Sequence, residues 1–313
     1  NADTIIGSSA GQTINAGGGQ DSIDAAGGAD SINADAGNDT VTFYSGATTI
    51  DGGADIDTLI VRAGDSVNVS GQKVSGFEII DITSTGATTV IGTSAAETIV
   101  DLAGSTFGDS IDGGGGADSI FAGGGNDTVT FYTGATTIDG GSGGVDWLVL
   151  KSGDSVDVTT HKVFGFEVID ASAAGATTVI GSTGADTVIG STGGDSIDLR
   201  GGTDSIFANN GNDTVTFYTG ATTIDGGDNV DRLIVPTGVQ VNIASDKVFA
   251  FEIIDITASG ATTVIGTSAA ETIVAETSGS AGDSIDGGGG ADSIFVGAGN
   301  DTVTFYSGAT TID

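Results

Sequence analysis

Single apolar residues recur every nine positions along most of the chain, with polar or small residues on either side. The step is unbroken through two long series, Ile5, Ile14, Ile23, Ile32, Val41, Ile50, Leu59 and Val179, Val188, Ile197, Ile206, Val215, Ile224, Leu233. A helix does not keep a nine-residue period on one face while glycine fills the gaps. A short strand followed by a glycine-rich turn does, with one β-branched side chain inward and its neighbours outward. The pattern predicts an all-β parallel solenoid, in which two nine-residue rungs form a coil of about 18 residues.

A longer repeat is superimposed on this pattern. The sequence Asn-Asp-Thr-Val-Thr-Phe-Tyr begins at Asn38, Asn126, Asn212 and Asn300, which are 86 to 88 residues apart. Glycine-poor stretches with Phe-Glu or Phe-x-Phe-Glu sequences separate the copies; they include Lys73–Asp81, Lys162–Asp170 and Lys247–Asp255. We expect them to continue the solenoid in wider coils with an aromatic core. The alternative is a contact patch between neighbouring molecules.

The composition excludes several classes of function. The 313 residues include 42 acidic and 7 basic ones, a formal charge of -35, with one His and no Cys. Nucleic acid needs Lys and Arg to neutralise its phosphates, and an anionic membrane surface repels such a chain. With one His and no Cys, the chain lacks the residues for a zinc site, for thiol chemistry and for a Ser–His pair, so we expect no enzyme. The repulsion among the acids requires either wide separation or cations between them.

The turns between strands carry glycine followed by Asp. Gly113–Asp118 reads Gly-Gly-Gly-Gly-Ala-Asp, and Ala122–Asp127, Gly287–Asp292 and Val296–Asp301 are close variants. The sequence here resembles the RTX family, whose nonapeptide Gly-Gly-x-Gly-x-Asp-x-apolar-x forms a parallel β-roll with bound calcium. It is most similar to the repetitive β-rolls of bacterial S-layer and other large secreted surface proteins. The resemblance implies several bound Ca²⁺ ions and secretion to a bacterial cell surface.

The chemistry of the turns agrees with calcium. Ca²⁺ takes six to eight oxygen ligands, and glycine can direct backbone carbonyls at an ion because it adopts positive φ. The candidate carboxylate ligands are Asp3, Asp21, Asp30, Asp39, Asp57, Asp109, Asp118, Asp127, Asp186, Asp195, Asp204, Asp213, Asp231, Asp283, Asp292 and Asp301. The candidate carbonyl ligands belong to Gly17, Gly19, Gly28, Gly37, Gly113, Gly115, Gly123, Gly125, Gly202, Gly211, Gly287, Gly289 and Gly299.

Rungs that are 18 residues apart should stack on the same edge of the solenoid. One edge carries Asp at every such step, whereas on the other edge Asp gives way to Thr48, Thr136, Thr222 and Thr310. We therefore expect one continuous and one interrupted calcium ladder. The alternative is that these Asp side chains cap turns by bonding to the backbone. Capping and calcium binding are equally favoured for Asp57, Asp146 and Asp231, because Val or Ile directly precedes each of them.

We expect one continuous solenoid of alternating segments. RTX-like β-roll is predicted at 1–61, 108–149, 181–235 and 282–313, and calcium-poor modules at 62–107, 150–180 and 236–281. Because the pattern is in mid-register at both ends, we expect a segment of a longer protein.

The predicted function is structural. Cytosolic calcium is too dilute for weak RTX-type sites, and the lack of Cys suits a secreted chain that folds on ion binding. We expect a surface layer, sheath or filament whose partners are calcium, further copies of itself and cell-surface polysaccharide, without nucleic acid or membrane insertion. The alternative is an adhesin stalk or the secretion and folding module of a toxin or exoenzyme. An ice- or sugar-binding face needs more regular Thr pairs than the sequence has.

Overall fold

The computed structural model describes residues 1–70, 74–83, 86–101, 106–257, 260–275 and 281–313. Lys73 of the first glycine-poor stretch therefore lies outside the described residues. The described chain contains 36 short strands, numbered β1 to β36 in chain order, and no helix. It accordingly has no helix long and apolar enough to cross a membrane.

The chain divides into two compact units, residues 1–149 with 160–167, and residues 150–159 with 168–313. In the first unit, nine strands pair in the order β1 (Thr4–Ile6), β3 (Ser22–Asp24), β5 (Thr40–Thr42), β7 (Thr58–Ile60), β10 (Ile79–Asp81), β12 (Thr98–Val100), β14 (Ser119–Phe121), β16 (Thr137–Asp139) and β19 (Val163–Phe164). A second row contains β8 (Ser66–Asn68), β11 (Thr89–Ile91), β13 (Ser110–Asp112), β15 (Thr128–Thr130) and β17 (Trp147–Val149). A third contains β2 (Thr13–Asn15), β4 (Ser31–Asn33), β6 (Thr49–Asp51) and β9 (Val74–Ser75).

The second unit repeats this arrangement. Its nine-strand row is β18 (Val156–Asp157), β21 (Thr178–Ile180), β23 (Ser196–Asp198), β25 (Thr214–Thr216), β27 (Arg232–Ile234), β30 (Ile253–Ile256), β32 (Thr272–Ala275), β34 (Ser293–Phe295) and β36 (Thr311–Ile312). The second row is β20 (Val168–Asp170), β22 (Thr187–Ile189), β24 (Ser205–Phe207), β26 (Thr223–Asp225) and β29 (Val248–Phe249). The third is β28 (Gln240–Asn242), β31 (Thr263–Ile265), β33 (Ser284–Asp286) and β35 (Thr302–Thr304).

The nine-residue pattern becomes the core of each unit. The strand pairings of the described residues are parallel, and the apolar residue of one strand stacks on that of the next coil, as Ile23 does on Val41 and Val41 on Leu59. These three side chains are 1% exposed or less. The predicted all-β parallel solenoid is therefore confirmed.

Coil length varies more than the 18-residue step predicts. The described chain makes about 15 turns that are about 19 residues apart. The average exceeds 18 because coils entering the glycine-poor stretches are longer: Ile50 pairs with Val74, and Ile138 pairs with Val163. These longer coils contain an additional strand, because β7 and β8 both lie between the paired strands β6 and β9, and β17 and β18 both lie between β16 and β19.

The expected aromatic core of the glycine-poor stretches is only partly present. Phe77 and Phe251 are buried, at 5% and 7% exposure, whereas Phe164 and Phe249 are about half exposed. Phe164 and Phe249 directly follow the inward-facing Val163 and Val248 in two-residue strands, so the alternation of a strand points both rings outward.

The turns stack backbone on backbone, which leaves no room for a Cβ atom at particular positions. A Cβ added to Gly116 would lie 2.1 Å from the carbonyl oxygen of Ala95 in the preceding coil, whereas one added to the adjacent Gly115 meets nothing within 4 Å. Both glycines have positive φ, 103° and 113°. The two positions therefore differ in the space above them and not in the sign of φ.

We predict that Gly116→Ala destabilises the fold much more than Gly115→Ala. The left-handed conformation costs alanine about 1–2 kcal/mol at either position. The collision with Ala95 should add about 1–3 kcal/mol at Gly116 alone. Guanidinium chloride unfolding at one saturating calcium concentration measures the difference. Equal losses of unfolding free energy at the two positions would contradict the close stacking of these turns.

Candidate metal centre

The Asp residues that precede the strands form hydrogen-bonded ladders from coil to coil. The backbone N–H of Asp3 donates to Oδ1 of Asp21, that of Asp21 to Asp39, and that of Asp39 to Asp57, each at 2.7 Å. Each carboxylate thus uses one oxygen to bind the backbone of the preceding coil. Consecutive strands lie about 4.8 Å apart, so the ladder brings like charges close together.

The same ladder recurs at three further places. The donor–acceptor pairs are Asp109–Asp127, Asp127–Asp146, Asp195–Asp213, Asp213–Asp231 and Asp283–Asp301, at 2.7 to 2.9 Å. Asp146, which is not among the predicted ligands, occupies the same position as Asp57 and Asp231. The structure therefore brings the residues of the predicted continuous edge together in register.

The opposite edge has shorter ladders. The backbone N–H of residues 12, 97, 186 and 271 donates to Oδ1 of an Asp in the next coil, through the pairs Gln12–Asp30, Glu97–Asp118, Asp186–Asp204 and Glu271–Asp292. One coil further on, the hydrogen bond runs in the opposite direction, because the later residue is the donor: Thr48 Oγ1 donates to the carbonyl oxygen of Asp30 at 2.8 Å. The hydrogen-bonded ladder on this edge ends at the rung where the sequence places Thr.

Sequence reasoning missed several acids that belong to these ladders. Glu97 and Glu271 take the Asp position in the turns Gly92–Glu97 and Gly266–Glu271 and are 4% exposed. Glu78, Glu167 and Glu252 accept from the last Asp of a continuous ladder. Each of these Glu residues stands 21 residues from a ladder Asp in the sequence. A comparison of positions 18 residues apart does not pair them.

Most of the predicted carbonyl ligands lie in left-handed turns. Positive φ occurs at ten of the thirteen glycines, and the other three are Gly113, Gly287 and Gly299. Two of the predicted carbonyls also accept from the next coil: Gly17 from the N–H of Ala36 at 3.3 Å, and Gly123 from that of Ser142 at 2.9 Å. A carbonyl oxygen has two lone pairs, so this bond leaves a second one for a cation.

The ladder carboxylates are buried. Fourteen of the sixteen predicted Asp ligands are 7% exposed or less, while Asp3 is exposed and Asp301 is partly so. Three ion pairs join Arg62 to Asp24, Arg200 to Asp157 and Arg232 to Asp255, and these three lie outside the ladders.

Comparison with known proteins agrees with this geometry. A family model that consists of four copies of the RTX calcium-binding nonapeptide repeat matches residues 6–41, 91–129, 103–138, 180–215 and 277–312. The chain belongs to the RTX calcium-binding repeat proteins. No curated protein matches the chain.

The RTX ladders leave carboxylate oxygens without hydrogen bonds in the interior. Among the described residues, Oδ2 is buried and has no hydrogen-bond partner at Asp21, Asp30, Asp39, Asp57, Asp118, Asp127, Asp213 and Asp231. A buried ionised carboxylate is costly unless it is paired or coordinates a metal. All eight residues are predicted ligands, so the orphaned oxygens fit a hard cation.

Burial also changes the acidity of the ladder. Loss of hydration on burial raises the pKa of Asp118, Asp127 and Asp213 from 3.8 to about 7. The same cause raises the pKa of Asp109, Asp204 and Asp231 to about 6, with neighbouring carboxylates adding to the rise at Asp204 and Asp231. Each of these carboxyls therefore favours a bound proton or a nearby cation.

The candidate ligand oxygens are spread along the ladders and turns and are not gathered in one cluster. The described residues contain no group of three or more His, Cys, Asp or Glu side chains placed to hold one metal ion. Each ion would therefore be held by one or two ladder carboxylates, through oxygens such as Asp39 Oδ2, together with carbonyls of the left-handed turns. Bound calcium would supply the positive charge that the ladder lacks. Oxygen-only coordination of this kind is typical of calcium and unlike a zinc site.

We predict that removing one ladder charge lowers calcium stoichiometry, whereas changing an interrupting Thr does not. Asp39→Asn and Asp213→Asn keep an amide oxygen for the N–H of the preceding coil but lose the charge. Thr48→Val and Thr222→Val are the matched controls on the opposite edge. Isothermal titration calorimetry with Ca²⁺ should show fewer ions bound for the Asp variants only. Equal losses in both pairs would show that the edges are wrongly assigned.

We predict that the calcium-free chain is more stable at pH 5 than at pH 8. Because the folded-state pKa values of about 6 to 7 lie above 3.8, the folded chain binds more protons than the unfolded chain between these values. This stabilisation is complete below pH 4 and is lost as pH rises through about 7. Far-UV circular dichroism of exhaustively dialysed protein at the two pH values measures it, with the larger β signal expected at pH 5, and saturating calcium should reduce the difference. Greater stability at pH 8 without calcium would contradict the burial of protonated carboxyls.

Proposed function

We propose that the chain is a structural, calcium-binding extracellular protein that folds on binding calcium and assembles into a surface layer, sheath or filament. The observation that carries the proposal is the repetition of one buried carboxylate ladder in both units, with orphaned Oδ2 atoms at corresponding places such as Asp39 and Asp213. Binding sites spread evenly along a chain suit a material whose rigidity depends on ions. The proposal includes no catalytic role.

Calcium supply supports an extracellular location. RTX repeat proteins are typically secreted. Sites of the millimolar class fill outside the cell, where calcium is abundant, and stay empty in the cytosol. The carboxylates of the ladder would then repel one another, and the chain would stay unfolded until it leaves the cell. A bacterial cell surface is the location that we propose.

Repeated apolar side chains on the surface support self-association. Ile56, Val145 and Val230 precede the last Asp of three ladders and are each about half exposed. Phe121, Phe207 and Phe295 end equivalent strands and are 38% to 40% exposed. Regularly spaced apolar contacts on one copy can match those on another, while calcium screens the repulsion of the acidic surfaces. The exposed rings also offer stacking surfaces for a cell-surface polysaccharide, the second partner class in the proposal.

We predict ordered assemblies that depend on calcium. Electron microscopy of the purified chain should show filaments or sheets at millimolar calcium and dispersed particles after chelation, because removal of calcium exposes a charge of -35. A triple variant, Ile56→Ser, Val145→Ser and Val230→Ser, should bind calcium normally but assemble less. Monomeric particles at millimolar calcium would favour the stalk or secretion-module alternative.

A further inference from the structure

Three carboxylate ladders extend beyond the RTX repeats into the glycine-poor stretches. The N–H groups of Asp57, Asp146 and Asp231 donate to Oε2 of Glu78, Glu167 and Glu252, at 2.9, 2.9 and 2.8 Å. The family matches nearest to these turns end at residues 41, 138 and 215, so the three junctions lie outside them. The same acid–acid step therefore occurs at each place where an RTX stretch meets a glycine-poor module.

The last Asp of the ladder is buried with one oxygen unused. Asp57 and Asp231 are 0% exposed, and their Oδ1 atoms accept from Asp39 and Asp213 in the preceding coil. Their Oδ2 atoms are buried and have no hydrogen-bond partner among the described residues. Each of these unneutralised carboxylates is followed, one coil on, by a second carboxylate. Two adjacent acids repel each other when both are ionised, and no basic side chain belongs to the described part of these ladders, so the pair favours a cation.

Backbone oxygens converge on the same place. Gly76, Gly165 and Ala250, two residues before each Glu, have φ of 69°, 67° and 56°. Their carbonyl oxygens would lie 2.0 to 2.2 Å from a Cβ added to the glycine that opens each turn, Gly52, Gly140 or Gly226. A Cβ on Gly52 or Gly226 would also lie 3.0 Å from the orphaned Oδ2 of Asp57 or Asp231.

The three junctions keep this arrangement of oxygen atoms although their sequences differ. Ala250 adopts the left-handed conformation that glycine adopts at 76 and 165, at a cost of about 1–2 kcal/mol. The three turns that face these carbonyls also differ in sequence, and the turn Gly140–Asp146 is one residue longer than the other two, yet each opens with glycine and closes with Asp. A carbonyl oxygen and a buried carboxylate oxygen thus face one glycine Cα at the junction in both units.

We propose that each Asp–Glu junction is a divalent-cation site, which joins the glycine-poor module to the RTX ladder. The ligands from the chain are the Asp Oδ2 atom, the Glu carboxylate and the carbonyl oxygen of residue 76, 165 or 250. Hard oxygen ligands with two carboxylates suit calcium. This inference rests on the calcium binding of the proposed function, and it makes the modules that the sequence marks as calcium-poor dependent on the ion.

Glu→Gln variants test the proposal sharply. Glutamine keeps an oxygen that accepts the N–H of the Asp, but it removes the charge that a cation needs. The double variant Glu78→Gln, Glu167→Gln should bind two fewer calcium ions per chain, and Glu252→Gln one fewer, in calorimetric titrations with CaCl₂. The matched control is Asp81→Asn, Asp170→Asn, since these acids lie three residues further on and accept from Thr83 and Ser172 in their own turns. The control should bind as many ions as the unaltered chain.

The outcomes separate this inference from the proposed function. If the unaltered chain binds calcium and the Gln variants bind equally many ions, the Glu side chains are only hydrogen-bond acceptors and the inference is overturned. If the unaltered chain binds no calcium, the proposed function fails as well. If the double variant does not regain its β signal at saturating calcium, the single variants Glu78→Gln and Glu252→Gln are titrated instead. One ion fewer in each supports the site, and an unchanged number overturns it.

Discussion

The structure depends on neutralising carboxylates that are stacked inside a solenoid. Each ladder Asp binds the backbone of the preceding coil with Oδ1, and this contact fixes the register between coils. The same contact buries the side chain and sets like charges about 4.8 Å apart. Burial raises the pKa of Asp118, Asp127 and Asp213 to about 7, so these carboxyls bind protons more strongly than exposed ones do. Calcium, which RTX repeats bind, would replace the proton as the neutralising charge.

Glycine makes this stacking possible at the turns. At Gly37 a Cβ would lie 1.5 Å from the carbonyl oxygen of Gly19, so the two turns pack with no side chain between them. Nine described residues other than glycine also have positive φ, and four of them are Asp35, Asp55, Asn209 and Asn229, residue types that tolerate that conformation best. Turn geometry and ladder register therefore constrain each other, and a coil whose turn is altered loses both.

The sequence predicts the repetitive part of this architecture well and the junctions poorly. Ile23, Val41 and Leu59 lie in the core at the predicted step, because a strand of three residues leaves one inward position. The 18-residue step also places Asp21 beside Asp39. It fails at Glu78 and Glu97, which stand 21 residues from Asp57 and Asp118, because the coils there are longer than 18 residues while the strands stay paired. The outward rings of Phe164 and Phe249 were missed because two-residue strands carry too little alternation to reveal the inward side.

We expect calcium to be a condition of folding, because the ladders carry stacked buried carboxylates while Arg62, Arg200 and Arg232 pair with acids outside them. The most direct test is the far-UV circular dichroism of the full chain at pH 8, first in excess EGTA and then with calcium restored. The account predicts that the β signal is lost in EGTA and returns on addition of calcium. A β signal that is unchanged in excess EGTA would contradict it.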